Sequence, residues 1–224
     1  MLAIDLYNEI TRLVKKDGRT GWISKQDFND WSPSVESMLM SYYCDIDEQD
    51  SKTIESLRPF VKEVSLSITS SLVTLPNDYR KYNDLQYLYV ANSENCGENA
   101  VQTGYDVDFI DSDEWYSMLR SPIRKPNLSK GRVRCRLVNN QLEVSEKAGT
   151  VKLMYVANPT YMNLAFTVNT GTQEEEYTPT GTINPMWLDK DRENLIDLYC
   201  VRFGLSIRDA NLAAWAQSKQ LTQK

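Results

Sequence analysis

The 224 residues predict an α+β fold, with N-terminal and C-terminal helices packed around an antiparallel sheet or meander that carries a long extended arm. Three observations lead there. Apolar residues recur with a helical period in roughly the first 60 positions and again after residue 188. They alternate with period two between about residues 61 and 157. No strand–helix–strand alternation is visible, which removes the parallel sheets of α/β proteins. The chain therefore reads as one domain in four parts: helices over 1–60, strands with a short helix over 61–157, an arm over 158–187, and a helical hairpin over 188–224.

The first helix rests on Ala3, Leu6, Tyr7, Ile10, Leu13 and Val14, which fall on one helical face, and Asp17-Gly18 ends it. A second helix is predicted to begin at Ser32 as N-cap with Pro33 in its first turn, and to bury Val35, Met38, Leu39, Tyr42 and Tyr43. A third, over 48–58, stops before Pro59. Glu63–Thr69 alternates strictly with Val64, Leu66 and Ile68 inward, and Leu75-Pro-Asn-Asp-Tyr79 is a turn. Leu85–Ala91 is a second strand, and residues 92–104 are a polar loop. Asp111–Leu119 reads as a short helix with acids in its first turn.

A meander follows. Val133, Cys135 and Leu137 alternate with Arg132, Arg134 and Arg136, and Asn139-Asn140 turns the chain. In that register Arg136 faces Glu143. Gly149 is read as a turn into Val151–Val156. Residues 157–187 are rich in Pro, Thr, Asn and Gly and are too long for an ordinary connection, so they form a functional arm or an extended hairpin presenting Tyr161, Phe166, Tyr177, Met186 and Trp187. Asp191–Phe203 makes a helix ended by Gly204, and Ser206 caps the last one.

Composition narrows the chemistry. There is no histidine, so neither a Ser-His-Asp triad nor a histidine–metal site can form. Cys44, Cys96, Cys135 and Cys200 are far apart and read as reduced thiols packed as small hydrophobes. No phosphate-binding glycine loop and no nucleophile elbow is present. Asp45–Asp50 starts like a calcium loop but has Asp50 where glycine is needed. Asp106, Asp108, Asp111 and Asp113 supply enough oxygens for a divalent cation, which leaves a cytoplasmic metal-dependent phosphodiesterase or nuclease as the rival reading. The acidic residues Asp5 and Glu9 in the N-terminal stretch argue against a secretory leader and for a protein kept in a cytoplasm. No apolar run is long enough to span a bilayer.

The net charge of −6 is unevenly spread. Arg120, Arg124, Lys125, Lys130, Arg132, Arg134 and Arg136 stand in a stretch without acids, against acidic clusters around Asp45, Asp106–Glu114 and Glu174–Glu176. Segregated charge of both signs suits docking of one subunit's basic surface on an acidic surface of a neighbour. The 13 tyrosines and 5 tryptophans fit the aromatic enrichment of interfaces. Arg132, Arg134, Tyr161, Phe166, Tyr177, Met186 and Trp187 are accordingly the candidate interface residues. No catalytic residue, metal ligand or cofactor is assigned. With carboxylates titrating near about pH 4 and lysines above about pH 10, side-chain charge and oligomer stability are expected to be flat over roughly pH 5.5–8.

The order of motifs resembles that of tailed-bacteriophage head-to-tail connector proteins, in particular the ring proteins of crAss-like and related podoviruses of Bacteroidetes. The matching segments are an alternating strand leading to Leu75-Pro-Asn-Asp-Tyr79, Glu114-Trp-Tyr-Ser-Met-Leu-Arg-Ser-Pro122, Val151-Lys-Leu-Met-Tyr-Val-Ala-Asn-Pro159, and the helical hairpin of 189–218. The resemblance implies a virion structural protein of the neck or tail region, made in the host cytoplasm. It implies a homo-oligomeric ring of about twelve copies, stacked on the portal and in contact with further tail proteins. DNA would pass through that ring without sequence-specific binding. The family has no catalytic residues to carry over. The length of the 157–187 segment departs from its pattern.

Overall fold

The computed structural model describes residues 1–16, 23–45, 55–90 and 102–202. The fold is α+β, in two compact units rather than one. One unit combines Met1–Phe60 with the chain from Asn158 onward; the other is the uninterrupted stretch Val61–Ala157. The strand-rich part is thus an insertion within a helical unit built from both ends of the sequence. The body of the helix expected over 48–58, most of the 92–104 loop and the last helix lie outside the described residues.

The helical unit begins with α1 (Ala3–Lys16), whose predicted face is buried at Ala3, Leu6, Tyr7, Ile10 and Val14. The second helix, α2, runs over Lys25–Asp45, so it starts well before Ser32. Its cap is Ser24: the Ser24 hydroxyl accepts from the Asp27 amide (2.9 Å), and the Asp27 carboxylate accepts from the Ser24 amide (3.3 Å). This reciprocal box satisfies two amide donors that the first turn leaves open. Pro33 sits inside the helix on its exposed side, where the carbonyl freed one turn back can turn to water. A 3-10 turn, Arg58–Phe60, buries Phe60. After the inserted unit come the short strands β8 (Phe166–Val168) and β9 (Glu175–Tyr177), a 3-10 turn at Asp189–Asp191 and the helix α4 (Arg192–Arg202). Phe28 of α2 stacks on Tyr199 of α4 at 4.8 Å and meets Tyr7 of α1 edge-on at 5.6 Å, so one aromatic column ties three helices.

The inserted unit is a closed seven-stranded barrel. Its strands are β1 (Val61–Thr69), β2 (Leu72–Thr74), β3 (Tyr79–Val90), β4 (Gln102–Phe109), β5 (Val133–Val138), β6 (Gln141–Val144) and β7 (Ala148–Ala157). Around the barrel the order is β1-β2-β6-β5-β4-β3-β7, with β7 returning to β1 through nine paired positions from Val61↔Val156 to Thr69↔Ala148. Two register shifts where β3 leaves β7, between Tyr79 and Asp84, bend the long strand so that the sheet can close. The interior is filled by alternate residues, among them Val73, Leu85, Val107, Val133, Cys135, Leu142, Val151 and Leu153. Burial pushes the Cys135 thiol up to about 12, which keeps it protonated and inert.

Two expectations need correction here. The sheet is not wholly antiparallel: β4 and β5 run parallel, with α3 (Ser112–Arg120) in the crossover between them. The cause is β4 itself, which overlaps the end of the expected polar loop. Tyr105, Val107 and Phe109 point to the interior and Gly104, Asp106 and Asp108 point out, a period-two strand whose acids masked it. Gly149 is not a turn but a paired position in β7, opposite Ile68. It has a left-handed φ of 133°, and a Cβ there would lie 2.6 Å from the Tyr87 hydroxyl and 2.7 Å from its ring. The Tyr87 ring crosses this gap to donate its hydroxyl to the Ala148 carbonyl (3.0 Å).

The Leu75–Tyr79 turn is pinned from three directions. Leu75 is buried, the Tyr79 amide donates to the Pro76 carbonyl (3.0 Å), and Asp78 accepts from Lys62 of β1 (2.6 Å) and from the Tyr155 hydroxyl of β7 (2.9 Å). Asp78 is held below the usual carboxylate range chiefly by the Lys62 hydrogen bond. Replacing Gly149 with alanine combines a φ disfavoured for L-residues with a clash against Tyr87. Gly149→Ala should therefore lower unfolding free energy by about 2 kcal/mol or more, read as a shift of the urea midpoint at unchanged slope. A midpoint equal to that of the parent chain would contradict this packing.

Candidate interaction surfaces and a buried carboxylate

The basic stretch sits on the barrel unit, and part of it is consumed there. Arg136 forms the predicted pair with Glu143 (2.6 Å), and its guanidinium lies over the rings of Trp115 (5.2 Å) and Tyr116 (5.0 Å), clamping α3 to β5. Arg134 pairs with Asp108 across the parallel strands, and Arg124 with Glu114 of α3 (2.7 Å). Arg132 donates to the Ile123 carbonyl (2.9 Å) and holds the turn after α3. Arg120, Lys125 and Lys130 are exposed and make no ion pair among the described residues. Helix α3 turns Trp115 and Met118 inward. Its neighbouring face and the following turn show Tyr116 (61% exposed), Leu119 (36%) and Ile123 (77%) to solvent.

Asp106, Asp108, Asp111 and Asp113 do not converge. The first two leave the outer face of β4, Asp111 is the N-cap of α3 and Asp113 lies in its first turn. Among the described residues no group of three His, Cys, Asp or Glu side chains is placed to hold a metal ion.

In the helical unit, the long segment 158–187 is anchored rather than free. Helix α2 presents Lys25, Asn29, Ser32 and Glu36 at spacings of four, three and four, a single stripe. The Asn29 side-chain amide donates to the Leu164 carbonyl (2.9 Å) and accepts from the Leu164 amide (2.7 Å). Ser32 donates to the Met162 carbonyl (2.8 Å), and Glu36 accepts from the Met162 amide (2.6 Å). Lys25 donates its backbone amide to the Glu175 carboxylate and its ammonium to the Glu175 carbonyl, both at 2.7 Å. Met162 and Leu164, two residues apart on an extended chain, are buried at this contact, and Asn163 between them bridges to Ile183. The segment closes on Trp187, which packs on Phe60 at 4.5 Å and donates its indole N–H to Glu36 (3.2 Å).

Glu36 is fully buried: it accepts from the Met162 amide and the Trp187 indole, its Oε1 lies 3.0 Å from the Ser32 hydroxyl oxygen, and no cation is paired with it among the described residues. Desolvation outweighs those donors and pushes its carboxyl up to about 7. The Tyr199 hydroxyl, from α4, is buried nearby, and burial likewise raises it. A second buried acid, Asp191, accepts from Tyr43 (2.7 Å) and Ser56 (2.8 Å) through one oxygen, while its other oxygen has no partner among the described residues.

The candidate interface residues divide accordingly. Trp187 is 2% exposed and belongs to the core, not to a surface. Phe166, Tyr177 and Met186 are half-buried, and Tyr161 is exposed. Arg132 and Arg134 are engaged within the barrel unit. Tyr116 and Leu119, three apart at the rim of α3, and Ile123 in the turn beyond it are the exposed apolar residues of this region and were not selected from sequence. Ser32, read as a cap, is instead part of the buried stripe. No family model and no curated protein matches the chain. Among the described residues no helix is long and apolar enough to cross a membrane.

Glu36 places a titration inside the window expected to be flat. Its folded pKa lies above the unfolded value of 4.5, so the folded state holds the proton more tightly. Stability from this group is complete below about pH 4.5 and is lost as pH rises to about 7, a fall of about 3 kcal/mol. Asp78 acts in the opposite sense, at more acidic pH. Urea unfolding from pH 5 to pH 8 should show the decline, and Glu36→Gln should abolish the slope. Parallel profiles for the two proteins would contradict the assignment.

Proposed function

We propose that this chain is a virion structural protein: a subunit that assembles head-to-tail into a closed ring of the connector type found between the portal and tail of tailed phages. The observation that carries the reading is the exposed patch of Tyr116, Leu119 and Ile123 on the barrel unit, in a stretch where Arg120 and Lys125 have no ion-pair partner among the described residues. Large apolar side chains grouped on a surface and rimmed by charge mark a protein partner. Acidic side chains face outward on the other unit, at Glu174 and Glu176. When a subunit carries two different, complementary faces, its contacts are heterologous, and such contacts close into a ring when the rotation between neighbours divides the full circle. The net charge of −6 suits a channel through which DNA moves without sticking. The ordered motif resemblance, from the alternating strand before Leu75 to the C-terminal helices, supplies the portal and the tail proteins as partners and a copy number of about twelve.

The alternative, metal-dependent phosphodiester chemistry on Asp106, Asp108, Asp111 and Asp113, gains no support from four carboxylates that leave different elements in different directions. Purified full-length protein should form closed rings in negative-stain micrographs, with a mass of about twelve subunits by light scattering. A strict monomer at every concentration tested, with or without the portal, would overturn the reading.

A further inference from the structure

We infer that the exposed ridge of Tyr116, Leu119, Arg120, Ile123 and Lys125 docks on the outer face of the β8–β9 hairpin of a second copy of this chain. The inference rests on the ring reading and gives it its contact. Pairing of β8 with β9 sets Phe166 opposite Tyr177, Thr167 opposite Glu176 and Val168 opposite Glu175. Directly opposed residues of an antiparallel pair share a face. One face therefore holds Phe166, Tyr177 and Glu175, and it turns to α2, where Glu175 meets Lys25. Val168, opposite Glu175, shares that first face at the hairpin's end, where it is 50% exposed, and the other face holds Thr167, Glu174 and Glu176, all exposed. No described cation pairs with Glu174 or Glu176.

The ridge is the electrostatic counterpart. Residues 119–132 contain Arg120, Arg124, Lys125, Lys130 and Arg132 and no acid, and only Arg124 is neutralised by a carboxylate. Ile123 is the most exposed large apolar residue described, and its carbonyl is fixed by Arg132, so the turn is presented in one conformation. A partner that covers Ile123 and Tyr116 has to bring carboxylates to Arg120 and Lys125, or those cations lose water without compensation. The outer face of the hairpin, with two exposed carboxylates that no described cation pairs, meets that demand. The two faces are different surfaces, so each copy uses one as donor and the other as acceptor.

Arg120→Glu/Lys125→Glu and Glu174→Lys/Glu176→Lys change only exposed side chains. Each double variant should raise the concentration at half-assembly roughly tenfold or more, with a urea midpoint unchanged from the parent. An equimolar mixture of the two should restore rings, because reversed ridge and reversed hairpin are again complementary. If either reversal lowers the urea midpoint, the neutral pair Arg120→Gln/Lys125→Gln and Glu174→Gln/Glu176→Gln replaces it, with weakened assembly expected from both. Rings formed by either variant as readily as by the parent, or a mixture that does not recover, would overturn this contact and leave the ring reading standing. A parent chain that never assembles, or that binds duplex DNA through Arg120 and Lys125 instead of a second copy, would overturn both.

Discussion

An extended segment that is buried without a partner strand must still satisfy its backbone amides and carbonyls. In the helical unit that constraint is met by side chains of α2. Asn29 reproduces with its amide the donor–acceptor pair of a neighbouring strand at Leu164, and Ser32 and Glu36 divide the same task at Met162. With those groups satisfied, Met162 and Leu164 are buried and Trp187 closes over Phe60 and Tyr43. The segment is then a wall of the core rather than an arm, and the two ends of the sequence are held in one unit around it. The insertion of a whole barrel between Phe60 and Asn158 is tolerable for that reason: the helical unit is completed by the chain that follows the barrel.

The stripe has an electrostatic consequence. A carboxylate with two N–H donors and no cation among the described residues is a poor anion in a dry interior, and burial brings its titration up to about 7. A histidine-free chain thus acquires a group that titrates where imidazole usually does. Glutamine at the same place would keep the contacts to one oxygen but offer the Trp187 N–H an amide nitrogen in place of an acceptor. Glutamate, whose two oxygens both accept, fits the Met162 and Trp187 N–H donors better and brings pH sensitivity with it.

Much of this was legible in the residues, and the failures share a cause. The α1 face, β1, the Arg136–Glu143 pair and the Asn139 turn, which takes a positive φ of 55°, are all local patterns in which propensity, period and contact agree. The boundaries near 61 and 157 were visible as the change of period from 3.6 to 2 and back. What misled was polarity with a tertiary purpose. Ser32 before Pro33 has the form of a helix start, but its hydroxyl is committed to Met162, and the true cap at Ser24 and Asp27 lay one capping box upstream. The alternation Tyr105-Asp-Val-Asp-Phe109 was present, yet its outward acids suggested ligands for a cation instead of a strand. Barrel closure and the parallel β4–β5 pair are non-local, and nothing in either strand alone specifies its neighbour.

Two of the motifs that carry the resemblance, Leu75–Tyr79 and Glu114–Pro122, are spent on the barrel's own integrity. Leu75 fills it, Asp78 joins β1 to β7 through Lys62 and Tyr155, and Trp115 lies under Arg136. An interface needs other residues, and strand alternation shows how such residues arise from an unremarkable triplet. In Glu174-Glu-Glu176 the middle carboxylate turns inward to Lys25, where it anchors the hairpin to α2. Its neighbours are forced outward by the same pleat. One acid makes the hairpin rigid, and rigidity lets the other two act as a fixed pair of charges. The same division occurs on α3, where Trp115 and Met118 fasten the helix and thereby fix the direction in which Tyr116 and Leu119 face. Preorganisation of both faces reduces the ordering entropy that covering either of them would otherwise cost.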